Sequence, residues 1–123
     1  MPAAVKNLIA TTALLSALAF ANSAWAHAHL ASASPAANAT VPSPAALQLK
    51  FSEGVEASFS SVNLSLNGQP VEVSKVTTAP NDLTVLLVTP AKPLAAGNYS
   101  VQWRVVSVDT HKSEGRYSFT VKD

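Results

Sequence analysis

A chain of 123 residues with 8 basic and 7 acidic side chains is close to neutral, which leaves no basic stripe for nucleic acid and no polybasic patch for anionic lipid. Cysteine is absent, so neither a disulfide framework nor a thiolate metal site is available, and the single methionine is Met1. Soft-ligand chemistry for Cu(I) is thereby nearly excluded, and imidazole, carboxylate and amine remain as metal donors.

Lys6 and the apolar run over residues 8–20 are followed by Ala24-Trp25-Ala26, the small-x-small pattern of a secretory signal peptide. The run is short for a membrane span, which makes an uncleaved anchor the weaker reading. Ala26-His27-Ala28 is a second triplet of the same kind. Cleavage after Ala26 leaves His27 first, and cleavage after Ala28 leaves His29 first. The first site is favoured because the apolar core, Asn22 and Ser23 lead directly into it. The expected organisation is a cleaved signal over residues 1–26 and one small domain over 27–123, exported to the periplasm.

From there the pattern has period two. Leu47, Leu49 and Phe51 alternate with Gln48 and Lys50, and Val62, Leu64 and Leu66 alternate with Asn63 and Ser65. Asn67-Gly68 then reads as a hairpin turn before Val71 and Val73. Leu83, Val85 and Leu87 suggest another apolar face, although Leu86 and Val88 make that run apolar on both sides. Tyr99, Val101, Trp103 and Val105 follow, with a change of phase at Val105-Val106 that suggests a bulge or twist before Val108. Tyr117, Phe119 and Val121 close the chain. Turn clusters at Pro42-Ser43-Pro44, Ala79-Pro80-Asn81-Asp82 and Ala95-Ala96-Gly97-Asn98 separate the runs, and no helical periodicity follows residue 27. The prediction is an all-β Greek-key sandwich or barrel of about seven strands, with Trp103 in its core.

The mature chain would carry three histidines: His27, His29 and His111. Asp109-Thr110-His111, if extended, turns a carboxylate and an imidazole to the same side. An amino-terminal histidine offers its α-amine and Nδ1 to one metal as a six-membered chelate ring. The amine pKa is about 7.7–8.0, so a strongly binding metal meets only a modest proton-release cost. Amine, two imidazoles and a carboxylate suit tetragonal Cu(II), with Zn(II) as the rival metal. A competing arrangement uses His27-Ala28-His29 alone: amine, two deprotonated amides and the third-position imidazole. It needs a flexible terminus and is disfavoured if residues 28–34 pair as a strand.

His27-Ala28-His29-Leu30, Ser34-Pro35, Leu49-Lys50-Phe51-Ser52-Glu53, Gly97-Asn98-Tyr99, Trp103-Arg104-Val105-Val106-Ser107 and Asp109-Thr110-His111-Lys112, with Gly115 and Phe119, resemble the periplasmic copper-binding CopC family. The resemblance covers the whole mature chain. It implies a cupredoxin-like or immunoglobulin-like β-barrel and tight binding of one Cu(II) by the amine and imidazole of His27 with Asp109 and His111. It also implies a part in copper resistance or uptake, often beside an inner-membrane CopD-type partner. Glu53 matches an acidic residue near the family's copper site; it would orient a ligand from behind or simply be a surface glutamate. His29 stays open between an outer role, a weak extra ligand and a structural one. Residues 60–90 lack the methionines of members with a second, Cu(I) site, so a single Cu(II) site is expected.

The functional expectation is therefore a binding protein, not an enzyme, that sequesters or delivers Cu(II), most simply as a monomer. Two rivals are a histidine-brace copper monooxygenase-like enzyme and a plain β-sandwich interaction module. The first is disfavoured by the small chain, the single tryptophan left after cleavage, and an Asp109 that would close a position oxygen chemistry needs open. The second explains the strands and leaves the terminal histidine unexplained.

Overall fold

A computed structural model describes residues 28–123; the expected signal segment and His27 lie outside the described residues. The strands in chain order are β1 (Leu30–Ser34), β2 (Thr40–Val41), β3 (Leu47–Phe51), β4 (Ser61–Leu66), β5 (Gln69–Val71), β6 (Val73–Ala79), β7 (Asp82–Pro90), β8 (Gly97–Val106) and β9 (Lys112–Val121), with one 3-10 turn over Ala57–Phe59. They form two sheets, β1-β3-β7-β6 and β2-β9-β8-β4-β5. β2 runs parallel to β9, and the other pairings are antiparallel. The all-β sandwich expected from the period-two runs is present, with β2 and β5 as short additions. Among the described residues no helix is long and apolar enough to cross a membrane.

Alternation decides what is buried, because successive side chains on a strand point to opposite faces. Leu47, Leu49 and Phe51 of β3 and Leu86 and Val88 of β7 line one inner face. Val62 and Leu64 of β4, Tyr99, Val101, Trp103 and Val105 of β8, and Tyr117, Phe119 and Val121 of β9 line the other. Trp103 sits edge-on to Phe51 with ring centroids 5.1 Å apart, and Tyr99 stacks on Phe119 at 5.2 Å.

Three details differ from the sequence expectation. The core face of β7 is Leu86 and Val88, while Leu83 is exposed, since in a run apolar on both sides pattern alone cannot choose the face. The apolar run after the Asn67-Gly68 turn is split at Glu72: β5 pairs with β4, and β6 joins the other sheet beside β7. The turn itself holds, with φ of 49° at Asn67 and 85° at Gly68, the left-handed pair of a tight hairpin. No bulge follows Val105-Val106. β8 and β9 stay in register from Gly97↔Val121 to Val106↔Lys112, and the inward alternation runs on through Val105 to buried Ser107, with Val106 on the outer face.

Two core tyrosines give opposite expectations. The Tyr99 hydroxyl donates to the Ala95 carbonyl at 2.6 Å, whereas the Tyr117 hydroxyl is buried without a hydrogen-bond partner among the described residues. Burial alone pushes the Tyr117 phenol up to about 12. Tyr99→Phe should therefore destabilise the fold by about 1 kcal/mol, and Tyr117→Phe should leave it unchanged or stabilise it by up to about 1 kcal/mol. Paired urea melts measure the two signs, and a destabilised Tyr117→Phe would mean its hydroxyl is satisfied.

Candidate metal centre

The registers place the carboxyl ends of β3 and β8 and the amino ends of β1, β4, β7 and β9 at one end of the sandwich. Loops there are cross-linked through their backbones. Val55 N–H donates to Leu83 O at 2.9 Å, Glu56 N–H to Val106 O at 2.8 Å, and Val108 N–H to Gly54 O at 2.9 Å. The described chain also begins at this end, with Ala28 buried.

Residues 107–111 connect β8 to β9, and they explain how Asp109 and His111 meet. They are not extended, so strand alternation does not align them as the sequence suggested. Thr110 takes a left-handed φ of 72°, Thr110 N–H donates to Ser107 O at 2.8 Å, and Ser107 N–H donates to His111 O at 2.9 Å. The chain closes a tight loop, and both side chains emerge from its rim. His111 Nδ1 lies 3.2 Å from Asp109 Oδ1, with both side chains about half exposed. In the tautomer that donates from Nδ1, Nε2 carries the lone pair.

Ser107 is the residue behind this pair. It is fully buried, its hydroxyl donates to Asp109 Oδ1, and Ser107 Oγ accepts the His111 backbone N–H at 3.2 Å. That hydroxyl, followed by the hydrogen bond and charge of His111, holds the Asp109 carboxyl below its ordinary acidity range. Asp109 therefore stays an anionic oxygen donor under more acidic conditions than a free carboxylate. Sequence reasoning passed over Ser107. The available signal was its phase: it continues the inward series Val101, Trp103, Val105, and a hydroxyl at a core-facing position demands a polar partner.

The start of the domain is held by two more serines. Ser113 of β9 donates its hydroxyl to the Ala28 carbonyl. Ser52, just past β3, accepts the His29 N–H at 3.0 Å, lies 3.4 Å from His29 Nδ1, and donates its own N–H to His29 O at 2.9 Å. β1 begins at Leu30, and residues 28 and 29 ahead of it are held by these contacts, one of them the backbone bond from Ser52 N–H to His29 O. His29 is exposed, and its N–H and Nδ1 both face the Ser52 hydroxyl.

Glu53 follows Ser52, and its Oε1 is buried without a hydrogen-bond partner among the described residues. An orphaned carboxylate oxygen is costly unless a donor or cation reaches it, which suits a site built to receive positive charge. Among the described residues no three His, Asp or Glu side chains gather as a metal cluster. The two brought together are Asp109 and His111, and His27 lies outside the described residues. Phe59, Leu83 and Val108, the large apolar residues exposed among those described, all lie in or beside the loops of this end.

Comparison with known proteins agrees with this architecture. The chain is 41% identical over 121 residues, 93% of its length and 95% of the relative's, to copper resistance protein C of Xanthomonas campestris pv. juglandis. It is 40% identical over 124 residues, 99% of its length and all of the relative's, to protein YobA of Escherichia coli strain K12. The crystal structure of PcoC, described as a methionine-rich copper resistance protein from Escherichia coli, superposes with a TM-score of 0.72 at 40% identity, over 79% of this chain and all of that one. The CopC domain model matches residues 30–122, and with these relatives it shows that the chain belongs to the CopC family of copper resistance proteins.

Proposed function

We propose that the protein binds one Cu(II) per chain through the α-amine and imidazole of His27 together with Asp109 and His111, and that it sequesters or delivers the ion without turnover. The observation that carries this reading is the Asp109–His111 pair at 3.2 Å, held by a fully buried Ser107 at the end of the sandwich where the described chain begins. An anionic oxygen beside an imidazole nitrogen is a donor pair suited to Cu(II). Glu53, with its orphaned Oε1 at the same end, is available to accept from an amine or imidazole N–H.

The chain's single methionine is Met1, in contrast to the methionine-rich character stated for PcoC, and this supports a Cu(II) site with no Cu(I) companion. Cleavage after Ala26 and a periplasmic location complete the reading, because the cut creates half of the chelate. Exposed Phe59, Leu83 and Val108 beside the site support a membrane-bound copper transport partner of CopD type approaching from that end. The protein itself acts as a monomer.

His111→Ala and Asp109→Ala are each expected to lower Cu(II) affinity at least about a hundredfold and to change the EPR and visible spectra. Chelator competition and EPR on the secreted protein test this, and spectra unchanged in both variants would overturn the donor set.

A further inference from the structure

The two His29 atoms nearest a common partner are its backbone N and its Nδ1, at 3.0 and 3.4 Å from the Ser52 hydroxyl oxygen. They are also two of the four nitrogens that an amino-terminal His27-Ala28-His29 chelate requires. In that chelate Cu(II) takes the α-amine, the Ala28 and His29 amide nitrogens and His29 Nδ1, and two amide protons leave to solvent with no change in oxidation state. A point that both His29 nitrogens face is thus filled by an oxygen that accepts the very proton the chelate must remove. Ser113 restrains the preceding residue by donating to the Ala28 carbonyl, and Ala28 is 1% exposed.

We infer that Ser52 is a specificity-determining residue, whose hydroxyl suppresses the four-nitrogen terminal chelate and so directs Cu(II) to the Asp109–His111 loop. Ser113 is its companion, denying Ala28 the freedom to bring its amide round a metal. The inference rests on the proposal that the mature chain begins at His27. It assigns Ser52 no contact with copper. Its contribution is to keep the His29 N–H protonated and the His29 ring turned to β3.

The test places the two modes in competition after the loop site has been weakened. Secreted protein with His27 verified as its first residue by mass spectrometry is titrated with Cu(II), and separately with Ni(II), as parent, His111→Ala, His111→Ala/Ser52→Ala and His111→Ala/Ser52→Thr. Adding Ser52→Ala to His111→Ala is expected to raise Cu(II) affinity about tenfold, the size of one or two lost hydrogen bonds. It should also shift the visible band to the blue, as four nitrogen donors require, and give a diamagnetic square-planar Ni(II) complex. Ser52→Thr, which keeps the hydroxyl, should behave as His111→Ala alone. Thermal melts verify that each variant is folded. Affinity and spectra insensitive to Ser52→Ala would overturn the inference and leave the proposed donor set standing. A four-nitrogen spectrum already present in the parent would overturn both, since the terminal chelate would then form despite Ser52.

Discussion

Leaving one residue ahead of His27 is expected to cut Cu(II) affinity by at least about a thousandfold, or roughly 4 kcal/mol. The added residue turns the α-amine into an amide, whose nitrogen lone pair is delocalised into the carbonyl and no longer donates. In the proposed donor set the six-membered ring between amine and imidazole is then lost, and Asp109 and His111 are left with a single unchelated histidine. The pH dependence should change as well. An amine with pKa about 7.7–8.0 must shed its proton to bind, so parent affinity rises with pH up to that range and then levels, while the extended form lacks this rise. Chelator competition at several pH values measures both effects. Equal affinity in the two forms would remove the amine from the donor set. Both terminal arrangements use the amine, so this experiment establishes the first residue, and the spectra of His111→Ala and Ser52→Ala separate the modes.

What the sequence showed and what it hid divide along physical lines. Period-two burial is local, and Leu47-Leu49-Phe51, Tyr99-Val101-Trp103-Val105 and Tyr117-Phe119-Val121 were legible because each strand has one wet face. β7 was harder, because Leu83, Val85 and Leu87 compete with Leu86 and Val88, and only the opposing sheet decides between them. The split at Glu72 was invisible, since sheet assignment depends on partners distant in sequence. The site shows the same division. Asp109 and His111 were found from their residue types, yet the mechanism that joins them is a turn on Ser107 and not strand alternation. Ser52 and Ser113 were missed because serines are common, and their importance arises from contacts to His29 and Ala28 across large sequence separations.

Gly115 looks dispensable in sequence, a lone glycine inside a strand, yet Gly115→Ala is expected to destabilise the fold by about 3 kcal/mol. Gly115 lies opposite Trp103 in the β8–β9 ladder, and the indole lies across it. A Cβ there would stand 2.4 Å from Trp103 Cζ2 and 2.7 Å from Cε2, far inside contact distance. The ring cannot retreat, being 5% exposed and packed edge-on against Phe51 at 5.1 Å. For a domain of this size the loss should lower the melting temperature by on the order of 10 °C or more. Replacing Trp103 with leucine should relieve the clash, so the double variant should be less destabilised than the two single effects combined. A melting temperature within a degree or two of the parent would show that the ring has another place to go. The disturbed ladder runs from Gly115 through Ser113 to Lys112, next to His111, and the same ladder presents the Ser113 hydroxyl to Ala28. Copper that binds only the native arrangement adds stability as RT ln(1 + [L]/Kd), so saturating Cu(II) should recover part of the lost melting temperature in Gly115→Ala. The recovery should be smaller than the rise in the parent, because the strain that lowers stability also loosens the strand that leads out of the Asp109–His111 loop.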